Sequence, residues 1–224
     1  MVTAIAKTKS HFKWGENGFA LGLACWLVIW SVFLAINPVD RSDWLLENLL
    51  VFALVGALVV THRWFPLSNF SLLLITIFLS LHLVGAHYTY AKVPLGFMWQ
   101  EAFGLSRNHF DRVIHFAFGF LMTYPMYEIF TRVIQAKKFW LWFIALNVSH
   151  SLSGLFELLE SWVARIVSPE LGAAYLGTQG DVWDAQKDMT FALVGAILAM
   201  AVTIWWKLDK LLLSRYKTNA KAGG

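Results

Sequence analysis

Charge is scarce in this sequence. Asp, Glu, Lys and Arg make up only 14% of its 224 residues, while 58% are hydrophobic. Soluble domains usually carry roughly a quarter charged residues, so the composition excludes an ordinary water-surrounded globule and points to lipid. Cysteine is scarcer still. Cys25 stands alone in an apolar run, so it forms no intrachain disulfide and reads as a small packed hydrophobe. Strand-period alternation and internal repeats are absent. So are a basic helix and an aromatic RNA-binding sheet, so the net charge of +4 is read as membrane topology rather than as nucleic-acid binding.

Several catalytic signatures are also missing. There is no H-E-x-x-H for a zincin protease and no G-x-S-x-G elbow. The seven histidines are too scattered for the clustered boxes of membrane desaturases. Ser106, Arg107 and His115 lack the spacing and companion blocks of lipid phosphatases. Asp181, Asp184 and Asp188 lack the EF-hand pattern.

What is present is a series of apolar runs. About 20 apolar residues are needed to cross the hydrocarbon core, and six segments qualify: Asn17–Ile36, Trp44–Thr61, Phe70–Tyr90, His109–Thr131, Phe139–Arg165 and Asp184–Lys207. The expected fold is all-α, a polytopic bundle of six transmembrane helices spanning residues 17–207, with tails at 1–16 and 208–224. Pro38, Pro66 and Pro94 are expected in loops after helices, and Pro169 in the loop before the last span. Pro125 falls inside the fourth span, where it is expected to introduce a kink.

Six spans put both termini on one side. Lys7, Lys9, Lys13, Arg63, Arg132, Lys137, Lys138, Lys207, Lys210, Arg215, Lys217 and Lys221 share that side, twelve of the eighteen basic residues. The positive-inside rule makes it cytoplasmic. The acids are skewed the other way. Only Glu16, Glu128 and Asp209 lie with the termini. The other eleven gather on the outer side or in the outer half of a span, and this skew is not part of the rule.

Placed by depth, the polar residues of four helices converge. His82 and His87 end the third span, and His109, Asp111 and His115 begin the fourth. Glu157 and Glu160 lie in the outer third of the fifth, and Asp184 and Asp188 begin the sixth just after Asp181. Positions three or four apart share a helix face, which aligns Asp111 with His115, Glu157 with Glu160, and Asp184 with Asp188. His82 and His87 are five apart and cannot both point inward. His87 is favoured, being nearer the interface and on a face with Tyr90. Ionisable groups at such depth are costly, and they persist when they face one another, a cavity or an ion.

Plainer readings stand beside this one. Asp181 and Asp184 suit helix capping, whereas Asp188 is too deep for it. Arg112 can pair structurally with Glu157 or Asp188, and Arg107 can mark the interface. His150, mid-membrane among serines, suits a helix–helix hydrogen bond. The loop "LGTQGD", with Gly177 and Gly180, can present backbone N–H groups to an anion or simply turn the chain.

The blocks "GAHYTYAKVPLG", "GLSRNHFDRVIHF", "FELLE" and "LGTQGDVWDAQKDM" together resemble the YjdF-type family of bacterial inner-membrane proteins, a domain of unknown function. The resemblance covers most of the chain from the third span to the end of the sixth, with a general match in the first two. It implies a multi-pass inner-membrane protein and brings no activity. His87, Tyr88, Arg107, Asn108, His109, Asp111, His115, Glu157, Glu160, Gln179, Asp181, Asp184 and Asp188 stand in the matching blocks. Ser161 departs from the aromatic expected after Glu160.

Three functions of different classes fit. The first is a metal-dependent enzyme open to the periplasmic leaflet and acting on a lipid or lipid-linked substrate. His87, His115, Glu157, Glu160, Asp184 and Asp188 would be its ligands for Zn, Mn, Fe or Mg. Asp111 or His109 would act as base and Arg112 would steady an anion, with Arg107, Asn108, Gln179 and Asp181 near the substrate. The second is an ion-coupled transporter or binding protein, and the third a non-catalytic scaffold held by a polar network. Membrane lipids are the expected partners.

Overall fold

The computed structural model of the chain describes residues 18–134, 136–206 and 208. The tail residues named above at positions 7–16, Lys207 and positions 209–221 lie outside the described residues, as does Asn17. Among the described residues the fold is all-helical, in eight helices: α1 (Gly18–Leu34), α2 (Arg41–His62), α3 (Asn69–His87), α4 (Pro94–Phe103), α5 (Phe110–Val133), α6 (Lys138–Ile166), α7 (Pro169–Leu176) and α8 (Asp184–Trp205). Helices α2, α3, α5, α6 and α8 are long and apolar enough to cross a membrane, and α1 is a shorter apolar helix of 17 residues.

Two short helices replace expected loops. Pro94 and Pro169 begin α4 and α7 instead of lying between elements. Proline lacks an N–H and has a fixed φ, so the first helical turn accepts it readily. Gly104 and Gly177 end these helices with φ of 62° and 55°, the left-handed conformation that glycine supplies without a Cβ penalty. Pro125 sits inside α5, and the helix continues through it to Val133.

Helix α5 is the axis of the bundle. It packs against α3, α6 and most extensively α8, while α1 and α2 lie outside on α3. Small residues make the α5–α8 contact close. A Cβ on Gly119 would fall 2.9 Å from Ala196 N, and one on Gly195 would fall 2.8 Å from Phe120 N. The two helices run parallel here, so their first turns are brought side by side. That contact places Asp188 beside Asp111 and His115.

The half of the bundle away from these first turns holds the main apolar core. Tyr127 stacks on Trp142 with ring centroids 3.9 Å apart, and Leu79, Met122 and Leu141 pack around them. Glu128, a buried acid in this half, accepts hydrogen bonds from Ser68 N (2.8 Å), Ser68 Oγ (2.6 Å) and Ser71 Oγ (2.6 Å). Glu128 therefore pins the start of α3 to α5. His150 does not make the expected helix–helix hydrogen bond: its Nδ1 is buried without a partner.

Candidate functional site

The acids and imidazoles expected near one depth sort into three groups. The first is a donor triad. Asp111, His115 and Asp188 each offer one atom within 4.8 Å of the others. His115 Nε2 faces Asp111 Oδ1 at 3.6 Å and Glu157 Oε1 at 3.2 Å, the latter close in distance but not aligned as a hydrogen bond. The other ring nitrogen, Nδ1, lies 3.5 Å from Ser153 Oγ, and the Phe156 ring meets the imidazole edge-on. Asp188 is 1% exposed and its Oδ1 has no partner. Two carboxylates and an imidazole suit Zn, Mn or Fe, and an unpaired buried oxygen is a costly feature that an ion would relieve.

The second group is an ion-pair network, and it reassigns several residues. Arg112 Nη2 donates to Asp181 Oδ2 and Asp184 Oδ1, both at 2.7 Å, not to Glu157 or Asp188. Arg107 Nη1 also binds Asp184 Oδ1 directly, and donates to Thr178 O at 2.7 Å. Asp184, expected as a metal ligand, is thus neutralised by two guanidinium groups that arrive from the turn before α5 and its first turn. Arg107 and Arg112 are spent in the same pairs, so neither stands ready for substrate. The likeness to a plain cap fails too: Asp184 makes no capping hydrogen bond, and the residue at the cap position is Trp183.

His109 accepts a hydrogen bond from Arg112 Nε at Nδ1, 3.2 Å. With that lone pair occupied, the neutral ring carries its proton on Nε2 and cannot serve as the expected base. Burial holds this imidazole below its ordinary pKa, and Arg112 and Arg107 push it the same way. Asp181 shifts oppositely to ordinary burial. Its hydrogen bond from Lys187 Nζ (2.7 Å), then that from Trp183 N, holds its carboxyl down to about 2.

Asn108 and Gln179 form a clamp between the α4–α5 and α7–α8 turns. Asn108 N donates to Gln179 Oε1 (3.1 Å), and Gln179 Nε2 donates back to Asn108 O (2.9 Å). Asn108 Nδ2 also holds Val93 O, at 3.0 Å. These amides are occupied in joining two turns, which replaces their expected place beside the substrate.

The third group is one that sequence reasoning missed. Asp43 and Glu47 share a face of α2, and they are 1% and 2% exposed. Both oxygens of Asp43 and Oε2 of Glu47 lack any partner. Tyr175 lies on α7, which packs against α2. Burial pushes the Tyr175 phenol upward, and Glu47, Glu160 and Asp43 add to the effect. The signal was available: Asp43 and Glu47 repeat, near the start of α2, the i, i+4 spacing of Asp184 and Asp188.

His82 and His87 exchange roles relative to expectation. His87 Nδ1 meets Leu34 O at 2.9 Å, at the end of α1 and away from the triad. His82 is buried, with Nε2 3.2 Å from Glu47 O and Nδ1 against Tyr90 Oη. A carbonyl only accepts, so Nε2 carries the proton and the Tyr90 hydroxyl donates to Nδ1. Thr89 and Tyr90 have φ of 54° and 47°. This reversal after α3 folds Tyr90 back over Gly85, where a Cβ would fall 2.6 Å from Tyr90 Cζ.

Two cavities meet at Asp111. One, of about 360 Å³, lies where α5 and α8 begin and is lined by the acids Asp111, Glu157, Glu160, Asp181, Asp184 and Asp188 among others. The second, of about 240 Å³, runs into the bundle between α2, α3, α5 and α6. Leu50, Leu54, Phe78, Phe118, Leu152 and Phe156 line it, with His82, Tyr90, Asp111 and His115 at its polar end. It exceeds the ~150 Å³ of an apolar cavity that accepts benzene. Leu50, Leu152 and Leu155, on its α2 and α6 walls, are 44%, 41% and 44% exposed, so this wall borders the lipid side of the bundle.

Comparison with known proteins agrees with this architecture. Residues 19–209 match the family described as a predicted membrane protein, DUF2238. The chain is 38% identical over 174 residues to inner membrane protein YjdF of Escherichia coli (strain K12), covering 76% of this chain and 82% of that protein. No solved structure matches it.

Proposed function

Because the chain belongs to the DUF2238 family of membrane proteins, and is a multi-pass protein of the bacterial inner membrane, we propose that it is a metal-dependent enzyme acting on a lipid or lipid-linked substrate at the periplasmic face. The observation that carries this reading is the donor triad of Asp111, His115 and Asp188 at the junction of the two cavities. An amphiphile has the same division. Its headgroup suits the polar chamber and its hydrocarbon suits the apolar one, with the scissile bond held near Asp111.

A divalent ion in the triad would act as a Lewis acid and supply a nucleophile from water near neutral pH. The protein's own groups have defined tasks beside it. Asp111, His115 and Asp188 would hold the ion, and Ser153 would orient the His115 ring. Glu157, next to His115 Nε2 and facing the polar chamber, replaces His109 as the group placed to move a proton. The Arg107–Arg112–Asp181–Asp184 network fixes the first turns of α5 and α8, the scaffold role reassigned to one part of the site. The packed core around Tyr127 and Trp142 supports an enzyme over a transporter, because a translocation path needs access from both faces. Hydrolysis or phosphoryl transfer is the reaction class that this donor set serves best.

Elemental analysis of the purified protein tests the proposal. The native chain should carry at least one divalent ion, and chelation should lower its thermal stability. His115→Ala and Asp188→Asn should abolish that binding and the release of headgroup from a panel of lipid phosphates. A metal-free native protein, indifferent to both chelator and added Mn²⁺ or Zn²⁺, would contradict the reading.

A further inference from the structure

We propose that the apolar cavity is a side entrance: one hydrocarbon chain of a membrane lipid enters it between α2 and α6, and so brings the lipid's headgroup to the donor triad from the bilayer rather than from the aqueous side. The inference deepens the metal-dependent reading by naming where its substrate comes from, and rests on that reading for the chemistry. It begins from the cavity walls. Those from α3 and α5 are interior: Leu79, His82 and Ile114 are 1%, 6% and 4% exposed. Facing the cavity therefore leaves a residue nearly covered. Leu50 on α2 and Leu152 and Leu155 on α6 line the same cavity and are 44%, 41% and 44% exposed, so their exposure lies on the outside of the bundle. Helix α2 packs on α3 and α7, and α6 packs on α5, α7 and α8, whereas among the described residues α2 is not packed closely on α6. The cavity is thus a cleft whose unsealed side lies between these two helices.

The surroundings and the lining name the occupant. Both α2 and α6 are long and apolar enough to cross a membrane, so lipid hydrocarbon lies outside the cleft. Leu50, Leu54, Leu152, Leu155, Phe156 and Leu159 form its two open walls, and among the described residues no lysine or arginine lines it. An apolar cavity of this kind stays dry and accepts apolar guests. The gain on filling it is packing, because an empty void forfeits the dispersion contacts that its lining could make. Its volume of about 240 Å³ is more than the ~150 Å³ that admits benzene and less than twice that, which suits one chain and not two side by side.

The inner end of the cleft meets the donor triad. His115 lines the cleft, Asp188 lines the acid-lined chamber and Asp111 lines both, so the triad straddles the junction. A chain lodged in the cleft holds the bond beside its headgroup at Asp111, while any second chain of the same lipid stays in the bilayer. The other polar groups at this end are satisfied within the protein. Tyr90 donates to His82 Nδ1, and His82 Nε2 donates to Glu47 O, so neither leaves a loose donor to draw water into the cleft. Leu50 and Leu152 form the two lips and set its width, which makes them specificity-determining residues. The substrate class that follows is a lipid whose hydrocarbon chain begins next to the headgroup, and a headgroup fragment without a chain lacks what the cleft holds.

The test is photo-crosslinking of the full chain in nanodiscs, with a diacyl phospholipid carrying a diazirine midway along one acyl chain as probe and labelled residues mapped by mass spectrometry. The native chain should be labelled on Leu79 and Ile114, which bulk lipid cannot reach, as well as on Phe52, which is 51% exposed on α2. Leu50→Trp with Leu152→Trp should cut the Leu79 and Ile114 labels by about tenfold, the effect of excluding about two buried methylene groups, and leave the Phe52 label unchanged. A native chain labelled on Phe52 alone would overturn the entrance, and so would inner labels that the folded double variant leaves unchanged. If the double variant does not fold, the native labelling decides alone. The entrance and the enzyme reading fail separately: a metal-free chain with inner labels keeps the entrance and loses the enzyme, and a metal-bound chain without them does the reverse.

Discussion

At the scale of single residues, the partner of each side chain decides its role more than its depth does. Asp181 and Asp188 lie seven residues apart on the same stretch of chain. Asp181 receives hydrogen bonds from Lys187, Arg112 and Trp183, while Asp188 retains an unpaired oxygen. Asp181 has a folded pKa of about 2, below its ordinary 3.8. A depressed carboxyl stabilises the fold above its unfolded pKa, and that contribution is lost as pH falls through the folded value. The stability difference between the native chain and Asp181→Asn should therefore be constant above about pH 5 and shrink progressively to its floor near about pH 1. Thermal unfolding in an acid series checks this, and a difference that already changes near neutrality would contradict it. The sequence made the acids of α6 and α8 and the first-turn groups of α5 visible through spacing and depth. It favoured His87 over His82, and wrongly, because that choice depends on the reversal at Thr89 and Tyr90. It could not assign Arg107 and Arg112 to Asp184, which is 77 residues from Arg107.

At the scale of elements, the α5–α8 crossing builds the site. Gly119 and Gly195 let two backbones touch, and the first turns of both helices then meet at Asp111, His115 and Asp188. Gly119→Leu should destabilise the protein by about 3 kcal/mol, the upper part of the usual overpacking range, and should weaken metal binding by separating α5 from α8. Gly56→Leu is the control, since nothing lies within 4 Å of a Cβ there. Unfolding midpoints and Mn²⁺ titrations of the two variants make the comparison, and equal behaviour would contradict the role given to the crossing. The long apolar helices were legible from hydropathy alone. The short helices α4 and α7 were not, because Pro94 and Pro169 read equally well as helix stops and as first-turn residues.

At the scale of the whole molecule, the arginine–carboxylate pairs and the donor triad gather where α5 and α8 begin, and the main apolar core fills the other half. The filled core around Tyr127 and Trp142 supports the bundle, and the two cavities converge on Asp111 at the opposite end. The acidic skew of the sequence has a structural side: Asp43, Glu47, Glu160, Asp184 and Asp188 are buried, Asp184 against two arginines and Asp43, Glu47 and Asp188 with oxygens that lack a protein partner, while Glu101 and Glu170 are exposed. Asp43 and Glu47 belong to that skew, and were passed over because they sat at the edge of an apolar span. The central claim is that the unpaired acids surround an ion. Anomalous diffraction from crystals of the full chain grown with Mn²⁺ tests it most directly. A peak within coordination distance of Asp111, His115 and Asp188 is the predicted result, and a well-ordered site with no peak there would contradict the account.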